Sequence, residues 1–325
     1  MTKVLEIGLP KRKIALLYPR QRGFATATND WTNFFDYCEE YEIQCYSWND
    51  FFSSGLYSSF TKEDVVIVYV NFNKEDLSLV DKFKSMKCTK ILRPCDAFNS
   101  DGYPYRKTIE TSKTLEIEKW ITSFNLDKLN TELDRQGIEY GHCPMHMLDF
   151  SDAVKNFDNK QFHIGVSGHM GWEVYPTRTR IFDYLSRWEK DNLKISYLPH
   201  PGYEKQSASH QVIGKDYIDF LSSSCLNVTC RGGWRDIMTC KYIEIGKALS
   251  LPICDIPFDL PEEMRSVVIE VKHDDTNYEL KEKIYSSLED SALKERTLEY
   301  QSLCIKYFDY KVLMPKFLSA VEDLC

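Results

Sequence analysis

The chain lacks most of the short signatures that announce an activity. Its 325 residues contain no Walker A sequence, no G-x-G-x-x-G, no C-x-x-C, no G-x-S-x-G and no D-x-D. Phosphate cradles, dinucleotide turns, paired-thiol sites and nucleophile elbows each need their residues at those spacings. Kinase, fingerprint-type dehydrogenase, zinc and serine-hydrolase readings are therefore poor, and nothing marks a carboxylate site for a metal-diphosphate. Long apolar runs are also missing. The longest clean one is Val65–Val70, far too short to span a bilayer. The start, MTKVLEIGLPKRK, has no apolar segment leading to a small-residue cleavage site, so no signal peptide and a cytoplasmic location are expected. Positive charge is outnumbered as well, with 41 Lys and Arg against 49 Asp and Glu. A net charge of −8 argues against non-specific nucleic-acid binding and leaves only a local basic cleft as a route to it. The 11 cysteines are scattered and odd in number, which without a secretory signal reads as reduced, small buried residues.

What is present is a soluble α/β pattern of two-domain size. Hydrophobic residues make up 43%, aromatic residues 14% and charged residues 28% of the chain, with mean hydropathy −0.41. That is enough apolar material for two ordinary cores. Strands are expected at residues 13–18, 42–48, 64–70, 90–93, 120–124 and 138–140. Helices are expected between them at 31–42, 77–86, around 115–119 and at 126–136. The DVVIVYV run at 64–70 has the continuous apolar character of a strand buried on both faces. The alternation then restarts. Strands fall at 162–166, 194–197, 225–229 and 267–271, and helices at 181–188, 217–222, 278–288, 293–308 and 311–324. Alternation of this kind predicts parallel sheets with right-handed crossovers. The expected architecture is two Rossmann-like doubly wound domains facing a cleft, residues 1–155 and 156–325, with the last helix able to pack back on the first domain. Between them His142, Cys143 and His146 invite a metal reading, but Pro144 disfavours the helix that would align the two histidines. A hinge or cleft wall accounts for them.

The stretch Cys230–Asp255, CRGGWRDIMTCKYIEIGKALSLPICD, concentrates the chemistry. A glycine-rich loop (Arg231–Arg235) is followed by a helix with Tyr242, Ile245 and Leu249 at helical spacing, then by a strand ending in Asp255. Lys241 and Glu244 are three apart and share one helix face. On spacing alone a surface ion pair worth about 0.2–0.5 kcal/mol accounts for them. A cation and an acid so placed also suit a phosphate and a ribose diol. Upstream, Ser167-Gly168-His169-Met170-Gly171 is a small-residue loop between a strand and a helix, where backbone amides can approach an anion. Arg178 and Arg180 lie at the start of that helix. Cations there are mildly unfavourable for the helix itself, so an anionic ligand or acidic partners across the cleft explain them better. Arg178 lies nearer the loop.

These features, in this order, resemble the C-terminal domain of GT-B glycosyltransferases of the group-1-like set, which includes spore-coat glycosyltransferase-like proteins and phage DNA glucosyltransferases. QFHIGVSG at 161–168 looks like the opening strand and glycine loop, and Tyr175-Pro176-x-Arg178 like the arginine-bearing helix start. DYIDFLSSSCLNVTC at 216–230 looks like the helix–strand unit before the donor helix. Lys241-Tyr242-Ile243-Glu244 looks like the basic-x-x-Glu donor motif, and residues 250–255 like the strand after it. One departure is Leu249, where the family often has glycine five residues after the glutamate. The resemblance implies a nucleotide-diphosphate sugar as donor and co-substrate, with no further cofactor and no metal. Glu244 would take the ribose hydroxyls, Lys241 and Arg178 the diphosphate, and Gly168 would cradle it; Tyr242, Arg231 and Arg235 would line the site. The N-terminal half would bind a glycan or other hydroxyl-bearing acceptor through loops such as Arg20–Asn29 and Asn99–Arg106. Lys90–Asp96, KILRPCD, resembles the strand that delivers the catalytic carboxylate. Asp96 is the candidate base for an inverting transfer, Asp30 a weaker alternative, and a simple turn cap the structural account of Asp96. An epimerase-like enzyme acting on the nucleotide sugar and a non-enzymatic two-lobed ligand-binding protein are the rival readings.

Overall fold

The computed structural model describes residues 12–18, 30–70, 79–94, 106–144, 146–188, 192–199, 212, 214–232 and 236–325. The chain divides into two compact units. One comprises Met1–Arg22, Phe35–Met145 and Met314–Cys325; the other comprises Gly23–Phe34 and His146–Leu313.

In the first unit the elements run β1 (Ile14–Tyr18), the part of α1 (Asp30–Glu40) from Phe35 onward, β2 (Gln44–Ser47), α2 (Trp48–Ser53), β3 (Val65–Val70), α3 (Val80–Ser85), β4 (Thr89–Pro94), α4 (Arg106–Leu115), β5 (Lys119–Thr122), α5 (Asp127–Gln136) and β6 (Glu139–His142). The strands form a six-stranded sheet in the order β2-β1-β3-β4-β5-β6. Every pairing is parallel. The continuous apolar run at β3 is explained by its central place, with Val65, Val66 and Ile67 fully buried. One face is covered by a layer in which Trp48, Phe51, Phe52, Phe83 and Trp120 interlock. Trp120 satisfies its indole N–H on Ser112 Oγ at 2.8 Å, as a buried tryptophan must. Arg93, at the carboxyl end of β4, is 1% exposed. It donates to the carbonyls of Cys143 at 3.1 Å and Pro144 at 3.0 Å.

The second unit contains β7 (Phe162–Gly168), α6 (Pro176–Trp188), β8 (Ile195–Pro199), α7 (Lys215–Ser222), β9 (Ser224–Val228), α8 (Cys240–Lys247), β10 (Leu251–Cys254), α9 (Glu262–Arg265), β11 (Ile269–Glu270), α10 (Asn277–Glu289), α11 (Leu293–Phe308) and the start of α12 (Tyr310–Asp323). Its sheet has five strands in the order β11-β10-β9-β7-β8, again all parallel. The order reverses at β7: the chain moves out to β8, then returns to the other side at β9. Ligands of doubly wound sheets bind beyond the carboxyl ends of the strands at such a reversal. Past Leu313, α12 belongs to the first unit. There Arg93 lies 5.0 Å from the Phe317 ring centroid, and Arg12 pairs with Glu322 at 3.2 Å.

Two local outcomes differ from the sequence expectation. The short helix expected around 115–119 is instead the end of α4, because Glu116 turns left-handed (φ 55°) and Ile117 N–H reaches back to Ser112 O at 2.9 Å. That six-to-one bond closes the helix and frees the chain to enter β5. Leu249 does the same for α8, with φ 51° and Ser250 N–H on Ile245 O at 3.1 Å. The helix therefore ends where a glycine would end it, with a leucine carrying a left-handed cost of about 1–2 kcal/mol.

Candidate donor site at the sheet reversal

The carboxyl end of β7 delivers Ser167 and Gly168. Gly168 adopts φ +103°, and a Cβ there would stand 2.8 Å from Arg178 Nη1 and 3.7 Å from Lys241 Cε. The loop therefore requires glycine, and two cations from different helices converge on it. Arg178 arrives as the third residue of α6, which opens at Pro176, a favourable first helical position for proline. The guanidinium is 3% exposed. It stacks 4.4 Å from the Tyr175 ring centroid and donates from Nη1 to His169 O at 3.3 Å. Its Nε is buried without a hydrogen-bond partner.

Lys241 arrives from the first turn of α8, half-buried. Its ammonium donates to Ser167 Oγ at 2.9 Å and to the hydroxyl of Tyr217 on α7. Burial, chiefly, lowers its pKa to about 8, with Glu244 opposing and Arg178 adding to the fall. Glu244, one turn on, is 4% exposed and shares the electrostatics of Lys241 and Tyr217. Thr239, at the N-cap of α8, makes no side-chain cap and donates instead to Cys230 O at 3.2 Å. The positive end of α8 thus lies beside the two cations without a cap from the Thr239 side chain. Burial raises the pKa of the nearby Cys230 thiol. Two cations, a helix start and a glycine loop are the parts from which an anion site can be built, which makes this a candidate one. No group of three or more His, Cys, Asp or Glu side chains placed to hold a metal occurs among the described residues.

Asp255 locks the surrounding frame. Its carboxylate accepts from Thr177 Oγ1 at 2.8 Å and from Arg231 N at 2.8 Å. It also pairs with Arg231 Nε at 3.3 Å and lies 3.3 Å from the Tyr242 hydroxyl. That hydroxyl donates to the Asp255 carbonyl at 2.7 Å, and Tyr242 is fully buried, so it supports the site from behind and offers no surface to a ligand. Arg231 also pairs with Asp236 at 2.7 Å.

Of the residues singled out from sequence, Gly168, Arg178, Lys241 and Glu244 come together. Arg231 and Tyr242 belong to the Asp255 frame. Arg180 is turned away, gripping the carbonyls of Lys272, His273 and Asp275 at 3.1, 2.7 and 2.6 Å. Arg235, Asp96 and the loops Arg20–Asn29 and Asn99–Tyr105 lie outside the described residues, as does the side chain of Asp30. Sequence reasoning missed Ser167's partner Tyr217 and the hub role of Asp255. It also missed Asp236, an acid held left-handed at φ 45° eight residues before Glu244. A non-glycine residue in that region is often found at a functional site.

No protein-family model and no curated protein matches the chain. Solved structures do. An α-glucosyltransferase in complex with UDP and a 13-mer DNA containing a HMU base is similar over 95% of this chain and 99% of its own, at 10% identity and TM-score 0.66. Anabaena Alr3699/HepE in complex with UDP is similar over 96% of this chain and 100% of its own, at 9% identity and TM-score 0.56. The GtfA/B complex is similar over 84% of this chain, which spans only 59% of that larger chain, at 10% identity and TM-score 0.52. No helix among the described residues is long and apolar enough to cross a membrane. At identities this low the likeness speaks for architecture alone: the chain has the two-domain, doubly wound α/β fold of GT-B glycosyltransferases.

Proposed function

We propose that this protein transfers a sugar from a nucleoside-diphosphate sugar to an acceptor hydroxyl. The observation that carries the reading is the convergence of Arg178 and Lys241 on Gly168 at the sheet reversal. A receptor for a neutral sugar has no use for two cations and an open helix start in one place. The UDP in similar structures supports the same reading. In the reaction the bond from the anomeric carbon to the diphosphate oxygen breaks and its electron pair stays with the diphosphate. Lys241 and Arg178 stabilise that developing charge where it appears, the role otherwise filled by a metal ion. Metal independence and a cytoplasmic location are part of this proposal. Glu244 accepts from the ribose hydroxyls, and Arg231 and Arg235 are further candidate donor contacts. For an inverting transfer the acceptor's proton passes to Asp96 as its oxygen bonds to the anomeric carbon.

A thermal-shift screen against nucleoside diphosphates and their sugars tests the donor, followed by a transfer assay with EDTA present and absent. Stabilisation by one nucleoside diphosphate and transfer that survives EDTA are expected; no stabilisation by any of them refutes the reading. The acceptor panel holds glycans and DNA. The net charge of −8 weighs against non-specific nucleic-acid binding, yet an α-glucosyltransferase of similar fold was solved with DNA. An epimerase acting on the nucleotide sugar would use the same donor site and is distinguished by its product.

A further inference from the structure

Lys241 is held in a way that its role as a diphosphate cation does not by itself require. A buried ammonium is ordinarily matched by a carboxylate. Here Nζ donates to two neutral hydroxyls, those of Ser167 and Tyr217, and the two hydroxyls are themselves 3.0 Å apart. The ammonium also lies 4.8 Å from the Tyr217 ring centroid. Ser167 is 1% and Tyr217 2% exposed, so water does not substitute for either. Burial and the nearby Glu244 push the Tyr217 hydroxyl well above its usual pKa, which keeps it neutral. The other groups facing Lys241 are Glu244 and Cys240 on α8 itself, Arg178 on α6 and Cys230 after β9. An ammonium has three N–H donors. Two are engaged, which leaves the third for an anion; Lys241 Cε stands 3.7 Å and Arg178 Nη1 2.8 Å from the place of a Cβ on Gly168, and Arg178 Nε is buried without a hydrogen-bond partner.

We propose that Tyr217 is a positioning residue for the donor's diphosphate: with Ser167, its buried hydroxyl holds the Lys241 ammonium in the charged form and aims the remaining N–H at the phosphate oxygens. This rests on the nucleotide-sugar reading above. A hydroxyl that accepts from an ammonium favours the charged form over the neutral one. Removing that hydroxyl leaves burial and Arg178 less opposed, so Lys241 loses its proton at lower pH. Diphosphate affinity then falls in a pH range where the native protein still binds. A role confined to packing predicts the same loss at every pH.

The test is calorimetry with UDP, or with whichever nucleoside diphosphate stabilises the protein, across about pH 6–10 for the native protein, Tyr217→Phe and Ser167→Ala. Native affinity is expected to fall as pH rises through about 8, the free-state pKa of Lys241. In Tyr217→Phe the fall should begin about one pH unit lower, with a gap of about tenfold along the limb that narrows towards acid. Ser167→Ala should move the limb in the same direction. A limb that does not move in a folded Tyr217→Phe protein overturns the inference, and so does an equal loss at every pH. Should Tyr217→Phe not fold, Ser167→Ala decides by the same criteria. If the native protein binds no nucleoside diphosphate, the nucleotide-sugar reading fails and takes the inference with it. Native binding with a limb that neither variant moves defeats the inference alone.

Discussion

Gly168 and Arg178 stand so close that a single added methyl group on the glycine would sit 2.8 Å from the arginine's Nη1. The guanidinium is 3% exposed and has little room to withdraw. Gly168→Ala should therefore displace Arg178 and weaken nucleoside-diphosphate binding by about tenfold or more. The left-handed backbone adds a destabilisation of about 1–2 kcal/mol. Calorimetry and a denaturant titration on the same variant separate the two effects.

Glu244→Gln keeps the shape of a side chain that is 4% exposed while removing its charge. If Glu244 accepts from the ribose hydroxyls, affinity for the nucleotide sugar should drop by about tenfold, near 1.4 kcal/mol. Affinity for inorganic pyrophosphate should drop less, since pyrophosphate carries no ribose. Equal losses for both ligands would reassign Glu244 to the electrostatics of Lys241.

Asp255 draws Thr177, Arg231 and Tyr242 onto one carboxylate. Asp255→Asn leaves an amide facing donors on several sides. The cost should be about 1–3 kcal/mol of stability, read as a lower urea midpoint, together with weaker donor binding as Thr177 of α6 and the Arg231 loop lose their common carboxylate. A variant as stable as the native protein would show that the hub is dispensable.

Lys160 offers a test of stability against pH. Its ammonium donates to Ser222 O at 2.9 Å and Leu249 O at 2.6 Å, and burial lowers its pKa from 10.5 to about 8. Between those two values the unfolded chain keeps a proton that the folded chain has lost. This group's contribution to stability therefore rises with pH from about 8 to 10.5. Lys160→Met should flatten the pH dependence in that window, seen by comparing thermal midpoints of variant and native protein.

Asp96 lies two residues beyond the end of β4 at Pro94, the kind of position from which α/β sheets present catalytic groups. Asp96→Asn should abolish transfer while leaving donor affinity intact. Full transfer by this variant would remove Asp96 as the base and favour a retaining reaction.

Much of the fold was legible because alternation is a local property. β3 could be read from DVVIVYV, and the parallel arrangement from the regular return of helices. That Arg178 and Lys241 belong with the Gly168 loop was legible from their order along the chain, and the structure brings the three together. Tyr217 was not, because nothing near it in sequence distinguishes a tyrosine that faces Lys241 from one that fills a core. Asp255 read only as the end of a strand, since its partners come from residues 177, 231 and 242. Glu116 and Leu249 were missed as helix ends because left-handed positions usually announce themselves with glycine.

By itself, then, the amino-acid sequence determined the alternation that builds two doubly wound parallel sheets, since that follows from periodicity within single elements, and it nominated Gly168, Arg178, Lys241 and Glu244 only through their order along the chain. Which of those residues meet was decided only by the tertiary structure. Strand order brings the end of β7 beside the end of β9, so Gly168, Arg178 and Lys241 become neighbours while Arg180, two residues from Arg178, is spent on the carbonyls of Lys272, His273 and Asp275. A helix turns by about 100° per residue, so two arginines two residues apart point about 200° apart around its axis, and only the packed sheet selects the one that faces Gly168.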